Sequence, residues 1–164
     1  MATTAVTVQD YLSTSYDPDC DYVDGEVLER NLGEFDHARL QGAIFAYFYV
    51  RRHEWGICAV PEQRVQVSPT RFRVPDVCVV LGEPKGQIFR DPPFICIEVL
   101  SPEDRVSRVN EKVADYLQFG VPYVWILDPQ TRKAWRCTPG AMVEVTELRT
   151  ENPAMVVPLD ELFA

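Results

Sequence analysis

Three charged residues set in apolar surroundings carry the chemical content of this sequence. Glu98 lies in FICIEVLSP, a run otherwise apolar from Phe94 to Leu100. Such a run reads as a buried central strand. An ionised carboxylate there is costly unless it is paired or holds a metal ion. Asp76 follows Pro75 at the start of a second apolar run, VPDVCVVL, and Lys112 follows on the helical segment after Glu98. Two carboxylates and a lysine on neighbouring elements are what metal-assisted phosphodiester hydrolysis requires. A divalent cation offsets the phosphate's charge and acidifies a water. Magnesium takes oxygen ligands and needs only one or two protein carboxylates. A nearby lysine steadies developing negative charge. Each residue also has a plainer reading: Asp76 as a turn residue at a strand start, Glu98 salt-bridged to an arginine, Lys112 as a solvated helix residue. Together the three are more specific than apart.

The elements that must position them follow from pattern. TVQDYLSTS suggests a short helix, and a turn at Asp24-Gly25 leads into a short strand over Glu26 to Arg30. From Asp36, a plausible N-cap, to Arg52, the residues Leu40, Ile44, Tyr47 and Phe48 recur at helical spacing, and Gly56 ends the unit. Strands are expected at EQRVQVS, at Val74 to Leu81 and at Phe94 to Leu100, and their short connections predict an antiparallel meander. Ser101 as N-cap and Pro102 at the first helical position open a helix with Val106, Val109, Val113, Tyr116 and Leu117 on its apolar side. Gly120 and Pro122 stop it. YVWILD, Tyr123 to Asp128, then forms a β-α-β unit with the strand before the helix, so those two strands should be parallel. Lys112 stands ten residues after Pro102, about 15 Å along the helix, level with about Cys96 and within reach of Glu98. Ala134 to Cys137 and Met142 to Glu147 close the chain as a hairpin. The expected architecture is a mixed α/β sheet in one domain over residues 1–164, ordered helix, three-strand meander, helix, strand, hairpin.

The 164 residues suffice for a real core, with 46% hydrophobic and 25% charged residues as in ordinary globular proteins. No apolar run reaches membrane-spanning length and the N-terminus lacks a signal pattern, so a cytoplasmic location is expected. Five scattered cysteines without a CxxC pair suggest neither disulfides nor zinc. The net charge of −9 argues against a generic nucleic-acid binder but not against a nuclease, whose metal site needs local acid. Arg51, Arg52, Arg64, Arg71, Arg73, Arg105 and Arg108 could make a local positive patch, or simply be solvated.

The segments DGEVLER with DHARLQGAIFAYF, then RVPDVCVV, EVLSP and EKVADYLQFGVPYVWILDP, in that order from about residue 20 to residue 137, resemble the Uma-type family of restriction endonucleases within the PD-(D/E)XK nuclease superfamily. The resemblance implies a restriction-endonuclease-like fold, Mg²⁺ or Mn²⁺ held by Asp76 and Glu98, Lys112 as the catalytic lysine, and Glu26 and His37 completing the site. In the parent superfamily the lysine stands two residues after the strand's acid. Here that residue is Leu100, so Lys112 must act from the helix. Where the family usually has an aspartate four residues before the lysine, this chain has Arg108.

The leading expectation is therefore a metal-dependent endonuclease acting on DNA. A nuclease-fold module that binds DNA or protein with weak or lost catalysis is the alternative, and a phosphoryl hydrolase acting on small nucleotides is a third. By analogy with nucleases that cut two strands, a homodimer could form through the closing hairpin or the apolar stretch Met155 to Leu159.

Overall fold

In the computed structural model, which describes residues 4–31 and 34–164, the apolar runs pair into a central sheet covered on both faces. The first half runs α1 (Val8–Leu12), β1 (Asp21–Val23), β2 (Glu26–Leu28), α2 (Phe35–Val50), α3 (Arg52–Trp55), β3 (Ile57–Pro61), β4 (Val65–Ser68), β5 (Arg71–Arg73) and β6 (Val77–Leu81). The second half runs β7 (Ile95–Val99), α4 (Val106–Phe119), β8 (Tyr123–Asp128), β9 (Lys133–Thr138), β10 (Ala141–Val145), β11 (Glu147–Thr150), β12 (Met155–Pro158) and α5 (Leu159–Leu162).

The central sheet has the order β10-β9-β8-β7-β6-β3. Only β7 and β8 pair in parallel, across the α4 crossover; the other neighbours are antiparallel. All five residues of β7 are buried, because this strand is central and both faces are covered. Side chains alternate between faces. Ile95, Ile97 and Val99 join Leu40, Ile44 and Phe48 of α2 and Met155 and Val157 of β12 in one core layer. Cys96 joins Cys78, Tyr116 of α4, and Val65 and Val67 of β4 in the other. By that alternation Glu98 faces α4, a placement that decides its chemistry.

A second sheet, of order β2-β1-β5-β4, is antiparallel throughout and packs Tyr22 and Phe72 on Tyr11 of α1. Its first hairpin turns at Asp24 and Gly25, both with positive φ (49° and 97°), as a two-residue turn matched to strand twist demands. Its β4 strand lies against α4, and the sheet brings Asp21 and Arg73 to Lys112 and Asp115 of that helix.

Several sequence expectations hold: the parallel β7–β8 pair, the β9–β10 hairpin, and the end of α4 at Gly120, whose φ of 103° suits glycine at a helix C-terminus. Others need correction. The meander is β3-β6-β7, not EQRVQVS with the two later strands. Val65–Ser68 instead forms a hairpin with Arg71–Arg73 and leaves the central sheet. Helix α4 begins at Val106, with Arg105 as its N-cap, rather than after Ser101. The Asp104 carboxylate accepts the Ser101 N–H (2.6 Å) and the Asp104 N–H reaches the Ser101 carbonyl (3.0 Å), so these residues close a turn of their own. Val106 is consequently 76% exposed and outside the apolar stripe. Helix α2 is capped at Glu34, which leaves Asp36 in the first turn. Met155 and Val157, expected to offer a patch to a second copy, are buried in the core, in an unforeseen hairpin of β11 and β12. No helix among the described residues is long and apolar enough to cross a membrane.

Candidate active site

Antiparallel pairing of β6 with β7 sets Val77 opposite Ile97, so one residue outward Asp76 comes level with Glu98. Both carboxylates are buried, Asp76 to 3% exposure and Glu98 to 6%. Their partners differ, and so does their acidity. The Tyr116 hydroxyl donates to Glu98 Oε1 at 2.6 Å. Burial pushes the Glu98 carboxyl from its ordinary 4.5 up to about 7; Lys112 pulls it down and Asp76 adds to the rise. Asp76 is surrounded by donors: Arg30 Nη2 to Oδ1 (2.6 Å), the Val99 N–H to Oδ2 (2.8 Å) and His37 Nε2 3.4 Å from Oδ2. Burial would raise its pKa, but His37 and Arg30 outweigh that and hold it below the usual carboxylate range. Gln41 of α2 donates to the Asp76 carbonyl (3.0 Å) and fixes the strand start.

Lys112 reaches the same place from α4. Its Nζ lies 3.9 Å from Asp21 Oδ2. Burial works against its charge, yet Glu98 first and Asp21 next keep it protonated above the ordinary lysine value. Tyr116 follows Lys112 by four residues, so both side chains share one helical face. Tyr116 thus touches Glu98, while the Lys112 ammonium, nearest to Asp21, acts on Glu98 through its charge. His37, on the first turn of α2, is likewise held above its ordinary pKa, since burial is outweighed by Asp76.

Of the residues expected at the site, Asp76, Glu98, Lys112 and His37 converge. Glu26 does not: it is exposed at the turn end of β2, opposite Val23, and makes none of the contacts just described. Residues further along its segment approach instead. Arg30 binds Asp76, and Asn31 Nδ2 donates to Asp104 Oδ1 at 2.6 Å. Arg108 lines two cavities that are both bordered by Arg30, the partner of Asp76. One is an open polar cleft of about 660 Å³ bordered also by Arg30, Asn31 and Ser101. The other is an inner pocket of about 60 Å³ bordered also by Asp21, Arg73 and Lys112. Four residues escaped sequence reasoning as site members. Tyr116 was assigned only to the apolar stripe, although its spacing from Lys112 is the available signal. Asp21, Arg30 and Arg73 carry no local signal.

Two hard carboxylate donors facing one another across adjacent strands fit a magnesium or manganese ion, which draws its other ligands from water and phosphate. Among the described residues no larger cluster of His, Cys, Asp or Glu suited to a metal occurs.

Between about pH 4.5 and about 7, Glu98 takes up a proton on folding. Its contribution to stability is therefore full below about pH 4.5 and lost as the pH rises through about 7. Urea melts of wild type and Glu98→Gln, without metal, at about pH 5 and about pH 8 test this. The stability difference is expected to move in the variant's favour at the higher pH. A pH-independent difference would mean that the folded state does not raise the Glu98 pKa.

A mixed sheet thus sets two acids on adjacent interior strands, with a lysine on the crossover helix beside them. The family model described as "Putative restriction endonuclease" (Uma2) matches residues 8–164, and the chain belongs to that family. The fold is similar to that of a crystal structure described as "a putative nuclease belonging to DUF820" from Anabaena variabilis ATCC 29413. That match has a TM-score of 0.79 and 20% identity, covering 96% of this chain and 97% of the other. No curated protein matches the chain.

Proposed function

We propose that the protein is a metal-dependent endonuclease that hydrolyses DNA phosphodiester bonds, with Asp76 and Glu98 holding Mg²⁺ or Mn²⁺. The observation that carries this reading is the buried pairing of Asp76 with Glu98 beside Lys112. Family membership and the fold likeness support nuclease function. A divalent ion held there would offset phosphate charge and lower the pKa of a coordinated water. Asp76 and Glu98 supply negative charge at the end of β6 and β7. Lys112, kept protonated by Glu98, presents an ammonium to charge developing on the phosphoryl group. Tyr116 orients Glu98, and His37 with the Val99 N–H orients Asp76. Arg108, at the mouth of the cleft, adds a positive group for the DNA backbone, in keeping with an acidic protein that binds DNA only locally. In this reading the protein works in the cytoplasm. A homodimer would present two sites to two strands, and the exposed Met142 and Val143 on edge strand β10 are a surface for it.

Arg30's hold on Asp76 favours a second reading, a module of this fold that binds DNA or protein without cutting. Plasmid nicking and calorimetry separate the two. Wild type is expected to bind Mn²⁺ and nick plasmid, and a chelator is expected to stop nicking. Lys112→Met is expected to keep Mn²⁺ binding but nick about a hundredfold more slowly. Binding without nicking would favour the second reading. Absence of both, in a protein relieved of Arg30 as well as in wild type, would overturn the metal-site assignment.

A further inference from the structure

Arg30 stands in an unusual position for a surface-derived arginine. It lies two residues beyond β2, yet its side chain is 8% exposed, and its Nη2 is 2.6 Å from Asp76 Oδ1. Nη1 lies 3.6 Å from Glu62 Oε1. Burial works against its charge, but Asp76 and then Glu98 hold it protonated above the ordinary arginine value. The other Asp76 oxygen is taken by the Val99 N–H and by His37. Both oxygens of the best-placed metal ligand are thus already engaged, one of them by a full positive charge. Two carboxylates buried side by side would otherwise repel one another. The guanidinium does for them, in the absence of metal, what a divalent ion would do.

A guanidinium and a divalent cation cannot both lie against Asp76 Oδ1. They would compete for one lone-pair region, and at such separations in a partly dry site like charges repel strongly. Building on the proposed metal site, we infer that Arg30 is the built-in counter-ion of the metal-free state. It and the divalent ion bind Asp76 in mutual exclusion, so metal loading requires the guanidinium to leave. The polar cleft of about 660 Å³, lined by Arg30 itself together with Asn31, Ser101 and Arg108, gives it room to do so. The metal affinity of the protein is then an exchange affinity, lowered by the Arg30–Asp76 pair.

Calorimetric titration of Mn²⁺ into wild type and Arg30→Met, with thermal melts of both, tests this. The variant is expected to bind Mn²⁺ about tenfold or more tightly. Without metal it is expected to melt below wild type, because Asp76 and Glu98 lose their cation. Added Mn²⁺ is expected to raise its melting temperature by more than it raises that of wild type. Arg30→Lys keeps a charge on a shorter stem, and its Mn²⁺ affinity is expected between the two; this variant serves if Arg30→Met does not fold. Equal or weaker Mn²⁺ binding in the variants, with wild type binding normally, would overturn the exclusion while leaving the metal site intact. No Mn²⁺ binding by any of the three would overturn the site and the inference together. Binding by Arg30→Met but not by wild type would be the strongest support.

Discussion

Glu98→Gln is expected to lower plasmid nicking by about a thousandfold and to weaken Mn²⁺ binding to the point of loss, with the fold retained. The substitution keeps the shape of the side chain and an oxygen that can accept the Tyr116 hydroxyl, which donates to Glu98 at 2.6 Å. It adds no volume to the fully buried β7 strand. What it removes is a formal negative charge and one of two anionic oxygen donors, with Asp76 left as the other. A metal's contribution to a phosphoryl transition state is several kcal/mol, and about 4 kcal/mol corresponds to the thousandfold expected here. Lys112 would lose its main charged partner as well, since Glu98 is the largest influence holding it protonated. Far-ultraviolet circular dichroism and a thermal melt check the fold, calorimetry checks the metal, and supercoiled plasmid checks the chemistry. A variant that nicks at the wild-type rate would remove Glu98 from the reaction and leave it a structural acid satisfied by Tyr116.

That Glu98 is legible in the sequence and Arg30 is not has one physical origin. Glu98 is visible because an acid interrupts a run whose every neighbour is apolar, and the period of that run already says that both faces are covered. Lys112 is visible through helical spacing, Tyr116 only as a member of the apolar stripe, and Gly120 through its role as a terminator. All of these are local signals. The Arg30–Asp76 pair joins residues 46 apart in the chain, and nothing near Arg30 announces its partner. The strand Ile57–Pro61 is not legible because Gly56 reads as the end of a unit rather than as the entry to the next strand. Arg71–Arg73 was missed because a three-residue strand with two arginines has little apolar pattern; only Phe72 faces a core. The start of α4 was misplaced because Ser101, Pro102 and Asp104 satisfy the rules for a helix N-terminus. They also satisfy the rules for a turn, and the Asp104 carboxylate decides for the turn by bonding the Ser101 N–H. Glu26 was carried in by resemblance alone, and the hairpin geometry leaves it in solvent while Arg30 takes the interior.

A buried long-range charge is costly to break, and Arg73→Ala is expected to destabilise the protein by about 3–5 kcal/mol. Arg73 is 2% exposed. Its Nε donates to Asp115 Oδ2 at 2.7 Å and its Nη1 to Asp21 Oδ2 at 3.2 Å, across 42 and 52 residues of chain. It therefore ties the second sheet to α4. Truncation would leave Asp21 and Asp115 buried with less compensation: Asp21 keeps the Val74 N–H at 3.0 Å, and Asp115 keeps Arg71 at 2.9 Å. Removing one member of a buried charged set is costly because the others stay desolvated, whereas replacing the set by apolar residues of similar volume is often neutral. The pair of experiments that distinguishes these cases is Arg73→Met alone and Arg73→Met with Asp21→Asn and Asp115→Leu. The single variant is expected to lose most of what Arg73→Ala loses, and the triple variant to recover part of it, both read from urea midpoints. A loss of 3–5 kcal/mol is a large share of the roughly 5–15 kcal/mol that holds a typical domain together. A midpoint within about 0.5 kcal/mol of wild type would mean that the network is no stronger than surface charge. The consequence reaches the site as well. Asp21 lies 3.9 Å from Lys112 Nζ, and an Asp21 freed from Arg73 is expected to hold that ammonium more tightly. The buried arginine thus keeps the lysine available to the carboxylates by satisfying the acid that competes for it.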